Sequence, residues 1–99
     1  MNLEDCRKEI DAIDAEILSL LNKRAEAAGK IGVLKAKAGL PIVDLDRESE
    51  VLRRVSQAND GILANDSIIK IFRRIIQESR QVQIDSLAEF LKKGTGIYQ

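Results

Sequence analysis

The chain has 99 residues, of which 44% are apolar and 32% charged, a balance that suits one globular domain and excludes a disordered segment. Sixteen basic and sixteen acidic side chains cancel, so no net field draws it to nucleic acid or to an anionic membrane surface. The absence of histidine removes the usual general base, the commonest metal ligand and every Ser-His triad. Cys6 is the only cysteine, which excludes an intrachain disulfide and fits a reducing, cytoplasmic setting.

The opening "MNLEDCRKEI" carries no apolar signal region, and no run approaches membrane-spanning length. From Leu3 onward the spacing alternates between three and four residues through Cys6, Ile10, Ile13, Ile17, Leu20, Arg24, Ala27, Ile31, Leu34 and Ala38. All but one of these positions are apolar, which predicts a long helix with a coiled-coil seam ending near Gly39 and Pro41. Gly29 and Gly32 lie inside it, for close helix packing or for room beside a ligand. Such a helix spans about 54 Å at 1.5 Å per residue. A compact chain of this size is only about 33 Å across, so the seam projects beyond its own domain. A homodimer with paired long helices is the simplest way to cover it.

A second helix is predicted from Asp44 or Asp46 to about Asn59, with the stripe Leu45, Glu48, Leu52, Val55. After the turn-rich "NDGILAND", Asn65 or Asp66 is expected to cap a third helix running to about Lys93, with the stripe Ile69, Phe72, Ile76, Ser79, Gln83, Leu87, Phe90. The tail "GTGIYQ" from Gly94 is expected to be loose. The fold class is therefore all-α, three helices in one domain over 1–99, with no further regulatory domain in the chain. The paired Arg53-Arg54 and Arg73-Arg74, close to Glu50 and Glu78, are expected to be solvated faces.

Each apolar stripe has polar intruders: Arg24 in the first helix, Glu48 in the second, Ser79 and Gln83 in the third. A charge or amide inside a core needs partners. One solution is a buried polar network that fixes helix register, pairing Arg24 with Glu48 and Ser79 with Gln83. The other is a solvent-excluded pocket between helices that an anionic ligand completes. Arg7, Lys35 and Arg47 add cations along the same faces, and arginine forks suit the carboxylates of a small diacid.

The segments "CRKEIDAIDAEILSLLNKR", "KIGVLKAKAGLPIVDLDRESEVLRRV" and "IFRRIIQESRQVQ" resemble the all-helical chorismate mutase family. Arg7, Arg24, Lys35, Asp44, Arg47, Glu48, Ser79 and Gln83 fit its pattern in order and spacing. The resemblance implies an intertwined homodimer of three-helix protomers that converts chorismate to prephenate without a metal or cofactor. It implies that Arg24, and Arg7 from the other protomer, bind the substrate carboxylates, with Ser79 and Arg47 assisting. Lys35 and Gln83 would donate to the ether oxygen, and Glu48 would accept from the ring hydroxyl, helped by main chain near Asp44. Two rivals stand beside this reading: a lyase on the same scaffold that splits isochorismate, and a non-catalytic helical dimerisation module.

Overall fold

The ends of the first helix are set by side chains and backbone within a few residues of it. In the computed structural model, which describes residues 1–97 with side chains through residue 94, α1 runs from Leu3 to Ala38. The Asn2 side chain accepts from the Asp5 N–H at 2.9 Å, and the Asp5 carboxylate accepts from the Asn2 N–H at 3.4 Å. This reciprocal pair satisfies two donors that the first turn leaves unbonded. At the other end Gly39 adopts the left-handed conformation, φ 67°. Its N–H bonds the Ala36 carbonyl, and the Leu40 N–H bonds the Lys35 carbonyl at 2.9 Å, which turns the chain sharply away.

α2 covers Leu45–Ala58. Asp44 caps it, accepting from the Arg47 N–H at 3.0 Å, so of the two expected caps Asp44 is the one used. α3 covers Asn65–Ile97. Asn65 stands inside this helix rather than ahead of it, and its side-chain oxygen accepts from Asn59 Nδ2 at 2.7 Å. Nor does the helix stop at Gly94: a glycine costs a helix about 1 kcal/mol relative to alanine but does not force an end. Gly94 to Ile97 are therefore helical rather than loose, while Tyr98 and Gln99 lie outside the described residues.

α3 packs against both α1 and α2, whereas α1 and α2 do not pack on one another. The contact with α1 is close because small residues line it. Ala28 and Gly32 are buried, and a Cβ at Gly32 would stand 2.8 Å from the Gln83 carbonyl oxygen and 2.9 Å from the Gln83 Cα. Gly32 thus lets two backbones meet rather than making room for a ligand.

The molecule is long and thin, 63 × 29 × 14 Å, with a radius of gyration of 17.7 Å. A compact chain of this length has about 13 Å. Its accessible surface is 7900 Å², where a folded monomer of this mass exposes about 5,600 Å². On the N-terminal half of α1, Leu3, Ile10, Ile13, Ile17, Leu18, Leu20 and Leu21 are all exposed. The predicted seam is present, and none of the described residues covers its first five turns. No helix among the described residues is long and apolar enough to cross a membrane.

Candidate active site

Because α1 and α2 stand apart on the same face of α3, they leave a cavity of about 370 Å³ between them. Its floor is apolar, formed by Ala27, Ala28 and Ile31 of α1, Val51 of α2 and Ile76 of α3. Seven of the eight residues singled out from the sequence border it: Arg24, Lys35, Asp44, Arg47, Glu48, Ser79 and Gln83. Arg7 does not; it is exposed on α1, seventeen residues and about 25 Å before Arg24 along the helix.

Arg24 reaches across from α1 and donates from Nη1 to Ser79 Oγ, which in turn donates to the Ile75 carbonyl at 2.9 Å. Its partner is thus neutral, and among the described residues no carboxylate pairs with it. Burial, and then the nearby Arg47 guanidinium, lower the pKa of Arg24 below the ordinary arginine value. A half-buried cation that lacks a counter-ion and faces a second cation is a site of positive potential, suited to an anion.

Lys35 sits three turns further along α1, one turn before the Gly39 stop. Its ammonium donates to the Ile42 carbonyl at 2.7 Å and to Gln83 Oε1 at 3.1 Å. The first bond ties the loop after α1 to the pocket wall and so places Asp44 and the start of α2. The second uses the Gln83 oxygen as acceptor, which leaves its amide NH2 as the donor side. An ammonium has three N–H groups, so one of Lys35 is left as well. One wall therefore offers two neighbouring polar donors.

Arg47 borders the cavity, but its guanidinium is bonded to Glu50 at 3.1 Å on the surface, and Arg54 joins the same carboxylate at 3.1 Å. Arg74 pairs with Glu78 at 3.0 Å. These pairs lie within single helices and more than half of most of these side chains is exposed, the solvated faces expected of the paired arginines.

Glu48 is paired differently. Arg80, from α3, binds both its oxygens: Nε donates to Oε2 at 2.6 Å and Nη2 donates to Oε1. The bonds to Glu48 raise the pKa of Arg80 above its ordinary value. The expected network of Arg24 with Glu48 and Ser79 with Gln83 is not what forms. Arg24 takes Ser79, Gln83 takes Lys35, and Glu48 takes Arg80. Arg80 was not among the sequence candidates, though it stands four residues after Ile76 and three before Gln83, on the face of α3 that borders the cavity.

The model of type II chorismate mutases matches residues 6–84. The chain belongs to the type II chorismate mutase family. It is similar to a chorismate mutase of Methanocaldococcus jannaschii, 33% identical over 92 residues that cover 92% of this chain and 93% of that protein. It is also similar to a bifunctional chorismate mutase/prephenate dehydratase of Aquifex aeolicus, 44% identical over 78 residues. That match covers 75% of this chain but 22% of the relative, so the chain spans about a fifth of the bifunctional protein's length. Among solved structures, a Helicobacter pylori chorismate mutase in complex with prephenate superposes with a TM-score of 0.81 at 38% identity, covering 88% of this chain and 94% of that one. The matched span of the chorismate mutase family contains all the cavity-lining residues, from Arg24 to Gln83.

Proposed function

We propose that the chain rearranges chorismate to prephenate, in a pocket that a second copy completes. The observation that carries this reading is the uncompensated Arg24, half-buried beside Arg47 and across an apolar floor from the Lys35–Gln83 donor pair. The substrate is a small diacid with an enolpyruvyl ether. Its rearrangement breaks one carbon–oxygen bond of the ether and forms one carbon–carbon bond within the same molecule. No proton, electron or group is exchanged with the protein. What is asked of the site is to hold the reactive conformer and to stabilise negative charge growing on the ether oxygen.

The residues divide along those two tasks. Arg24, held by Ser79, binds one substrate carboxylate, with Arg47 alongside. Lys35 and the Gln83 amide direct their remaining N–H groups at the ether oxygen. Both are fixed by their bond to one another, so little reorganisation is needed as charge develops. Glu48 accepts from the ring hydroxyl near the main chain at Asp44. The apolar floor lowers the local dielectric, which strengthens each of these contacts.

One carboxylate of the diacid remains, and Arg7 is the cation proposed for it, from a second copy. Arg7 lies on the exposed half of α1, beside the uncovered seam, and cannot reach the cavity of its own chain. Two antiparallel or crossed copies of α1 would bury the seam and carry each Arg7 to the other's pocket. The surface excess of about 2,300 Å² over a folded monomer is in the range of a permanent interface. Support for the substrate also comes from the prephenate bound to the Helicobacter pylori relative. The test is direct: purified protein, with no added metal or cofactor, should consume chorismate and yield prephenate. Isochorismate turned to salicylate in place of that reaction would assign the lyase chemistry instead.

A further inference from the structure

Four cations border the cavity, Arg24, Lys35, Arg47 and Arg80, against two carboxylates, Asp44 and Glu48. Asp44 is committed to capping α2. Glu48 is the other carboxylate bordering the cavity that Arg24 also lines. It is 19% exposed and sits in the first turn of α2, where the helix dipole favours negative charge.

The Glu48–Arg80 pair differs from every other ion pair among the described residues. The others join residues three or four apart on one helix, whereas this one joins α2 to α3 across 32 residues of sequence. It is also the least exposed of them, with Arg80 at 33%. The guanidinium fork holds both carboxylate oxygens, so the carboxylate cannot rotate toward Arg24 without losing two charge-assisted bonds. Each carboxylate oxygen keeps a further lone pair for a hydroxyl donor.

We propose that Arg80 is a positioning residue. By gripping Glu48 it presents a fixed, charge-compensated acceptor to the substrate hydroxyl and keeps Arg24 free for a substrate carboxylate. This rests on the diacid-pocket reading above. It adds a role for a residue that acts through Glu48 without binding substrate. A purely structural tie between α2 and α3 would instead affect folding and leave the kinetic constants of the folded enzyme unchanged.

The test compares wild type, Arg80→Met, Arg80→Lys, Glu48→Gln and the Glu48→Gln/Arg80→Met double variant, by kcat, KM and thermal midpoint with chorismate. Arg80→Met is expected to raise KM about tenfold, with a smaller fall in kcat. Arg80→Lys, a point charge that cannot fork both oxygens, is expected to lie between it and wild type. In the Glu48→Gln background the same Arg80→Met change is expected to alter KM less than about twofold, because no charge is left to compete for Arg24. Equal KM in wild type and folded Arg80→Met, or the same fold-rise in both backgrounds, overturns the inference. Should Arg80→Met fail to fold, the Arg80→Lys constants decide it: wild-type values reject it and a raised KM supports it. A wild-type protein that leaves chorismate unchanged rejects the functional reading itself, which is a different outcome from any of these.

Discussion

The two halves of α1 share one exposed heptad seam, which continues through Ile31 and Leu34 at 45% and 62% exposure, but the second half also packs an adjacent face on α3. From Arg24 to Ala38 the helix lies on α3, and the residues that face inward there are small: Ala28 and Gly32 are buried, with Gly32 against the Gln83 backbone. From Leu3 to Leu21 the same rhythm carries Ile10, Ile13, Ile17 and Leu20, between 43% and 63% exposed. Side-chain size separates the face of α1 that packs on α3 from the exposed seam. Small residues allow a backbone of the same chain to approach closely. Large aliphatic residues left in water are where the proposed second copy would pack, and burying each would contribute about 1.5–3 kcal/mol. The site lies at the junction of these halves, where the pocket's own cations end and Arg7, on the bare half, begins.

That contrast can be broken from either side. Ile13→Glu with Ile17→Glu would place charges in the bare seam. We expect a monomer by sedimentation and turnover close to background, because no Arg7 would reach a pocket. An active monomer would separate the seam from the site. Arg24→Leu acts on the packed half. It completes the apolar stripe and removes a half-buried cation that lacks a counter-ion, so thermal stability should hold or rise. The rate constant should fall by about 10²–10³-fold, as when a donor to developing or fixed anionic charge is removed. Loss of both stability and rate would point to a structural role for Arg24.

Gln83→Glu asks whether the donor at the ether oxygen is the Gln83 amide. Wild type should turn over at a near-constant rate from slightly acid to slightly alkaline pH, since an amide donates throughout. The glutamate variant donates only when protonated. Its activity should be greatest in acid and fall up to about tenfold per pH unit once the carboxyl ionises. A flat profile in the variant would remove Gln83 from that role. The two helix glycines give the smallest and most local comparison. A Cβ at Gly32 meets backbone, which cannot move aside, so Gly32→Ala should cost about 1–3 kcal/mol in denaturant titration. At Gly29 a Cβ meets the Ser86 hydroxyl at 3.0 Å, a side chain that can rotate. Gly29→Ala should therefore be near neutral, the clash offset by about 1 kcal/mol of helix propensity.

The helices were legible from local pattern: α1 falls on the residues that its heptads and Gly39 predict, and α2 starts from Asp44. α3 overran its expected end because Gly94 and Gly96 are weak stops when no proline follows. The cavity-facing residues were legible too, since helical spacing reports which side chains share a face. Which partner each one finds was not. Arg24 with Ser79, Lys35 with Gln83 and Glu48 with Arg80 are set by how three helices lie on one another, a distance that periodicity along one helix does not encode. Arg80 was missed for a related reason. Lying one residue after Ser79, it turns about 100° from that side chain and reads as the helix edge, although its spacing to Ile76 and Gln83 puts it at the cavity.

In the proposed dimer each pocket combines Arg24 of one copy with Arg7 of another. Arg7→Ala and Arg24→Leu proteins, each near-inactive alone, can be unfolded together and refolded as an equal mixture. Half of the dimers would then pair unlike chains, and each of those holds one pocket with both arginines intact. The mixture is therefore predicted to recover about a quarter of wild-type activity. Recovery of none, or an Arg7→Ala protein that is fully active by itself, would contradict a shared pocket.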